Sequence, residues 1–277
     1  MTRSIQGVIV LGASGDVGRE VVNALLRDHF RVTVGVRDGS SRSTSLPASV
    51  RTTVIDYNSQ ESLERAFRGH DAIVETFNPT VAVHQDTIVQ AAIAAKVIHL
   101  ITPDFSTDTF NENADELMIF EPKLNAQRVL EVYAATGAIQ WTAVITGPFF
   151  DWGILKKVFW VDKDTKEVII FGSGDQKVSM SAIDMSGRAV VAILREPQKF
   201  SNRAAYFADY TVSNNELLAL LRDIDPKGEW KSKNIPISSF FSQAKQLWEQ
   251  DTKAGVKDRL NSTAYQMLGT YGLFEEG

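Results

Sequence analysis

Short apolar runs and helical repeats alternate six times before residue 147 of this 277-residue chain, a rhythm that leaves few folds open. GVIVLG (7–12) is continuous, rich in β-branched residues and bounded by glycine, as a buried strand requires. Val17, Val21, Val22, Leu25 and Leu26 then recur at helical spacing and predict a helix over 17–28. RVTVGV (31–36), VRTTVID (50–56), DAIVETF (71–77), VIHLIT (97–102) and IQWTAVIT (139–146) read as the next five strands. Further helices are predicted at 60–68, closed by Gly69, at 83–95, and at 122–136, ended by Gly137. Such a repeat builds an α/β fold: a Rossmann-type, doubly wound parallel sheet with right-handed crossovers.

After Gly147 the rhythm breaks. KEVIIFGSGDQ (166–176) predicts strand and turn, and SAID predicts a helix opening at Ser181. That start resembles a capping box, weakened because Asp184 stands where Glu or Gln is usual. AAYFADY (204–210) reads as one more strand, and SNNE places a full capping box at Ser213 and Glu216 before the apolar repeat LLALLRDI. The remainder reads as mostly helical. The expected organisation is a Rossmann domain over 1–150, rejoined by the 181–195 helix, with a smaller mixed α/β lobe over 151–277.

Charge and composition narrow the partners. A formal charge of -5 argues against nucleic acid and anionic membrane surfaces, both of which demand a positive face. No cysteine is present, which removes thiolate catalysis and Cys-ligated zinc and suits a reducing, cytoplasmic setting. His29, His70, His84 and His99 share no metal-ligand spacing on one helix face, so no metal site is expected. MTRSIQ lacks the apolar region of a signal peptide, and no window of 18 apolar residues exists to span a membrane. Monomer and homodimer both stay open.

The chemistry begins at LGASGDVG (11–18), where Gly12, Gly15 and Gly18 lie between the first strand and the first helix. A glycine triplet alone also suits a turn that merely needs positive φ. Its position favours a phosphate cradle, because a helix N-terminus presents free N–H groups to an anion. Gly12 would make the turn, Gly15 would admit the pyrophosphate, and Gly18 would let helix and strand pack closely. Ser14 could add a hydroxyl donor, and Asp16 and Val17 complete the candidate turn.

About 20 residues beyond the glycines, an NAD site places an acid on the ribose hydroxyls. Arg37 stands there instead, and a planar guanidinium suits the 2′-phosphate of NADP(H). Asp38 competes as a ribose acceptor. Asp56, ending the third strand, is a candidate for the adenine edge or a plain turn residue. Phe77, Asn78 and Pro79 would line the path toward the nicotinamide, since ligands bind at the carboxyl ends of such strands.

These residues, with VRD (36–38), DAIVETFN (71–78), TPDF (102–105), FEPKLNAQRVLEVYAATG (120–137) and TGPFFDWG (146–153), carry a resemblance. MSGRAVVAILREP and NRAAYFADYTVSNNEL extend it over nearly the whole chain. The chain resembles the NmrA-like and isoflavone-reductase-like proteins, an atypical branch of the short-chain dehydrogenases, and looks most like their fungal members. The resemblance implies an NADP(H)-binding lobe, a smaller substrate lobe, and a substrate-facing lysine at the start of the helix after strand five. Here that is Lys123. A lysine in a helix first turn costs roughly 0.3–1 kcal/mol against the macrodipole. The same field lowers its pKa and readies it for proton transfer; a surface lysine tolerated after Pro122 is the competing reading. The matching motifs add Thr102, Gly147, Pro148, Phe149 and Lys123 itself as cofactor candidates, and Asp104, Phe105, Phe150 and Trp152 as substrate candidates.

None of the six tyrosines (Tyr57, Tyr133, Tyr206, Tyr210, Tyr265, Tyr271) has a lysine four positions later, so the usual short-chain Tyr-x-x-x-Lys pair is missing. Three functions follow as expectations. One is NADPH-dependent reduction of a C=C, C=N or C=O bond in a hydrophobic aromatic or heterocyclic small molecule, in secondary metabolism. In it Phe149, Phe150, Trp152, Phe159 and Trp160 line an apolar cleft, or else form plain packing. A second is a non-redox enzyme such as a cyclase, with NADP(H) as a wall of the pocket. The third is a non-catalytic NADP(H) sensor acting through a partner protein.

Overall fold

Val8, Ile9, Val10 and Leu11 are fully buried, so the first strand has a covered surface on both faces. The computed structural model, which describes residues 4–38, 47, 50–257, 259–260 and 262–275, builds the rest of a parallel sheet around that strand. The chain divides into two units. The first comprises Met1–Phe110, Pro122–Thr146 and Ile183–Phe207; the second comprises Asn111–Glu121, Gly147–Ala182 and Ala208–Gly277.

In the first unit, β1 (Gly7–Leu11), α1 (Asp16–Arg27), β2 (Arg31–Arg37), β3 (Arg51–Ile55), α2 (Gln60–Phe67), β4 (Ala72–Glu75), α3 (Gln85–Ala94), β5 (His99–Ser106), α4 (Glu121–Ala135) and β6 (Gln140–Ile145) follow in order. Only Glu121, the first residue of α4, falls in the second unit. The polar loop after Asp38 lies almost wholly outside the described residues.

In the second unit come α5 (Phe150–Lys156), β7 (Val161–Asp162), β8 (Glu167–Phe171) and β9 (Val178–Met180). The chain then returns to the first unit with α6 (Met185–Arg195), α7 (Pro197–Phe200) and β10 (Arg203–Tyr206). It finishes in the second with β11 (Tyr210–Val212), α8 (Asn214–Ile224), β12 (Lys231–Ile235), α9 (Phe240–Lys253) and α10 (Thr263–Phe274).

Seven parallel strands order as β10-β6-β5-β4-β1-β2-β3 in the first unit, the reversal from β1 to β4 being that of a doubly wound sheet. The six expected strands are all there, and β10 adds a seventh. Side chains alternate between the faces. Ile9, Leu11, Ile73 and Leu100 pack with Leu63 and Phe67 of α2, Ile88 and Val89 of α3, and Leu130 of α4. The opposite face belongs to α1 and α6, which meet at Gly187. A Cβ there would lie 2.6 Å from both Ala24 Cβ and Glu20 O.

Three local expectations change. The helix read from Ser181 begins at Met185, and its N-cap Asp184 makes no capping bond. Ser181 instead bridges to Phe149: its N–H donates to Pro148 O (3.1 Å) and its carbonyl accepts from Phe150 N (3.0 Å). Extended pairing holds its backbone away from a helix start. AAYFADY also splits, because Phe207 N–H donates to Ile145 O in the first unit while Asp209 N–H donates to Met180 O in the second. The helix read over 83–95 starts as a 3-10 turn at Pro79–His84, and α3 proper begins at Gln85.

The second unit holds a three-stranded sheet, β7-β8-β12, and the two-stranded pair β9-β11. Its core gathers Trp160, Val168, Ile170, Phe171, Met180, Leu218 and Phe274. The Ser213–Glu216 capping box forms as expected.

Candidate functional site

The carboxyl ends of β1 to β6 gather most of the predicted residues of the first unit. Gly12 turns the chain out of β1 at φ +88°, and a Cβ there would lie 2.6 Å from the backbone of Phe77. Gly18 is as tightly held: its Cβ would lie 2.6 Å from Ala13 Cα and from Gly12 O. Gly15 differs. It is exposed, its nearest neighbour to an added Cβ is 3.6 Å away, and it is the N-cap of α1 without a side-chain capping bond. The first N–H groups of α1 have no partner within the helix. Exposed Ser14 stands beside them. This donor set fits a dinucleotide pyrophosphate, and two of the three glycines are required by packing alone. Asp16 pairs with Arg19 in the same first turn, and Val17 is half-buried.

Arg37 ends β2 and is exposed with Asp38. Its charge reaches Tyr57, a buried phenol whose pKa is raised by burial and by Glu75 and partly restrained by Arg37. Asp56 forms an Asx turn, accepting from Asn58 N (2.9 Å) and Asn58 Nδ2 (3.2 Å), so its carboxyl serves the turn it sits in. Phe77 is buried edge-on against Tyr57, with ring centroids 5.8 Å apart, and meets the glycine turn through its backbone. Asn78 caps the following 3-10 turn, accepting from Thr80 N (3.0 Å), and Pro79 occupies its first position.

Lys123 lies in a buried, hydrogen-bonded environment. Only 5% exposed, it is no surface lysine. Its Nζ donates to Asp104 O (2.7 Å) and to Ser106 Oγ (2.7 Å). Burial lowers its pKa, and the Asp104 carboxylate opposes that shift. Asp104 and Phe105, expected to touch substrate, are 2% and 6% exposed. Asp104 Oδ1 accepts from Thr109 Oγ1 (2.8 Å) and Gln127 Nε2 (3.2 Å), and Oδ2 accepts from Thr102 Oγ1. Both oxygens are thus engaged within the protein, and Thr102 is likewise buried in that network. Of these residues, Asp104 meets Lys123 directly, through its backbone carbonyl.

Sequence reasoning passed over Glu75, Gln85, Ser106, Thr109 and Gln127. Glu75 is fully buried at the end of β4, where burial pushes its carboxyl up to about 8, with Asp104 adding and a Gln85 hydrogen bond opposing. Gln85 Nε2 donates to Glu75 Oε1 at 3.1 Å, while Glu75 Oε2 and Gln85 Oε1 are buried without a partner. A signal existed: an acid closing the otherwise apolar run AIVE. Gln127 also announced itself, one helical turn beyond Lys123 on the same face.

Gly147, Pro148, Phe149, Phe150 and Trp152 all fall in the second unit. Gly147 has φ +65°, and a Cβ there would sit 1.9 Å from Ser179 O, so only glycine fits. Phe150 stacks edge-on with Tyr210 at 5.8 Å. Trp160 is core, stacked on Phe159 at 3.7 Å and edge-on to Phe274 at 4.9 Å, which removes it from the expected cleft lining. Trp152 is half-buried and stays a candidate. Among the described residues, no group of three or more His, Asp or Glu could hold a metal ion, and no helix is long and apolar enough to cross a membrane.

The sequence pattern of the NmrA-like family matches residues 5–242. The chain belongs to that family. This NmrA-like chain is 31% identical over 218 residues to oxidoreductase aprR of Aspergillus flavus, covering 78% of itself and 72% of that protein. It is 25% identical over 240 residues to oxidoreductase poxI of Penicillium oxalicum, covering 86% of itself and 75% of that relative. The same fold occurs in AtPrR2 bound to NADP+ and (+)pinoresinol, with a TM-score of 0.74 at 17% identity over 100% of this chain and 91% of that one. It recurs in the leucoanthocyanidin reductase–NADPH complex of Vitis vinifera, with a TM-score of 0.74 at 16% identity over 97% and 86% of the two chains.

Proposed function

We propose that this NmrA-like protein is an NADPH-dependent oxidoreductase that reduces a C=C, C=N or C=O bond of a hydrophobic aromatic or heterocyclic small molecule, in secondary metabolism. One observation carries the reading: a buried lysine ammonium held by two fixed oxygens at the carboxyl edge of a sheet whose glycine turn is open at Gly15. The two fungal oxidoreductases it resembles, and the NADP+ and NADPH held by proteins of the same fold, support it.

The N–H groups opening α1 and the Gly15 backbone would hold the pyrophosphate, with Ser14 beside them. Arg37 would take the 2′-phosphate through charge-assisted bonds. When bound, NADPH supplies a hydride to an electrophilic carbon. Lys123 holds the matching proton at Nζ, for delivery to the atom where negative charge develops. Asp104 C=O and Ser106 Oγ orient that ammonium, and burial brings its pKa down toward the working range. Phe149, Phe150 and Trp152 remain the candidates for apolar contacts in the second unit.

The test follows NADPH consumption across a panel of aromatic and heterocyclic substrates. Turnover is expected from the wild type, and Lys123→Ala is expected to lose roughly a hundredfold or more while still quenching or enhancing NADPH fluorescence on binding. Full turnover by Lys123→Ala would remove the lysine from the chemistry. The missing Tyr-x-x-x-Lys pair favours a second reading, an NADP(H) sensor, which binding without consumption across the panel would support.

A further inference from the structure

Between β5 and β6 the parallel register slips. Thr102 pairs with Ala143 and Ser106 with Ile145, so four steps along β5 answer two along β6. The extra residues loop out at Asp104–Phe105, and Phe105 takes φ +30°, a backbone conformation strained for an aromatic residue. Such strain persists only where the surroundings over-determine it.

Here they do. Thr102, Asp104, Thr109, Lys123 and Gln127 are each no more than 5% exposed. Every named hydrogen bond among them converges on Asp104 or on its clamp. Thr102 Oγ1 donates to Oδ2, Thr109 Oγ1 to Oδ1 (2.8 Å), and Gln127 Nε2 to both Oδ1 (3.2 Å) and Thr109 Oγ1 (2.8 Å). The backbone carbonyl of the same Asp104 accepts from Lys123 Nζ at 2.7 Å. One residue thus faces α4 twice, with its carboxylate toward Gln127 and its carbonyl toward Lys123. The two partners lie one helical turn apart, so the bulge and the helix lock each other in register.

We propose that Asp104, clamped by Thr102, Thr109 and Gln127, is the positioning residue of this site: it holds the strained Phe105 turn that fixes the Lys123 ammonium. The role of Lys123 rests on the reading above, whereas the clamp is a property of the chain itself. The Asp104 charge also opposes the effect of burial on Lys123. From β4, Glu75 also interacts electrostatically with Asp104, and burial pushes its carboxyl up to about 8. Asp104 is therefore the charge set to hold Lys123 ionised.

The experiment needs neither cofactor nor substrate. Protein carrying 13C-labelled lysine is titrated by NMR, with the Lys123 signal assigned by its loss in Lys123→Arg. In Asp104→Asn the Lys123 signal is expected to titrate at lower pH than in the wild type, with the remaining lysine signals in place. Thr109→Val, which keeps shape and removes the two clamp bonds made by the Thr109 hydroxyl, is expected to move it the same way by less, and Thr109→Ser to return it. An unchanged Lys123 titration in a folded Asp104→Asn variant would overturn the proposal. If Asp104→Asn does not fold, a Thr109→Val titration identical to wild type overturns it instead. A protein that shows the expected titrations but consumes no NADPH would refute the reductase reading and leave the clamp standing.

Discussion

At the scale of single residues, the three glycines of one motif carry different constraints. Gly12 and Gly18 are confined by neighbouring backbone, whereas a Cβ on Gly15 would make only ordinary contact, 3.6 Å from Gly12 O, at an ordinary φ of -74°. Gly18→Ala is therefore expected to lose about 1–3 kcal/mol of stability, read as a lower urea midpoint. Gly15→Ala is expected to keep that midpoint and weaken NADPH binding in a fluorescence titration. Equal stability losses at both positions would mean that Gly15 serves packing alone. Arg37→Ala is expected to cut the preference for NADPH over NADH by about ten- to a hundredfold, the worth of one or two charge-assisted hydrogen bonds. An unchanged ratio of the two dissociation constants would show that the 2′-phosphate is bound elsewhere.

Among the elements, those with a strong apolar period were legible and those without one were not. α8 shows both its capping box and its LLALLRDI stripe, and the box forms. Ser213→Ala is expected to cost about 1 kcal/mol in chemical denaturation. Asp184→Ala, at a helix start with no capping bond, is expected to stay within about 0.5 kcal/mol of wild type. A larger loss at Asp184 than at Ser213 would reverse that assignment. β12 (KSKNI) escaped notice because four of its five side chains are exposed, which leaves no alternation to read. The splitting of AAYFADY was equally hidden, since both halves are strand and only their partners differ.

For the whole molecule, two buried titratable groups in the sheet pull stability in opposite directions. Glu75 rises from an ordinary 4.5 to about 8, so its contribution is full below about pH 4.5 and is lost as pH climbs to about 8. His99, fully buried with Nε2 2.8 Å from Thr142 Oγ1, falls from 6.5 to about 4 through burial. Its contribution is full above about pH 6.5 and is lost as pH drops to about 4. Each slope is about 1.4 kcal/mol per pH unit, so the two cancel between pH 4.5 and 6.5, and Glu75 alone erodes stability from there to pH 8. Glu75→Gln is expected to abolish that alkaline decline. Melting temperatures measured across the range check it, and a variant with the wild-type slope above pH 6.5 would contradict the assignment.

Local pattern determined the alternation of strands and helices, the glycine turn and the placement of Arg37 and Lys123 at the ends of elements. These follow from side-chain periodicity and backbone freedom, which neighbouring residues set among themselves. The tertiary structure decided what Lys123 is: buried, and bonded to a bulge 17 to 19 residues earlier in the chain. It also turned Asp104 from an expected substrate contact into the centre of a buried clamp, and exposed Glu75 as an acid enclosed in the sheet. Desolvation and hydrogen bonding depend on which groups meet in space. That pairing is fixed by the slipped register of two strands and the packing of α4, and no local stretch of sequence contains it.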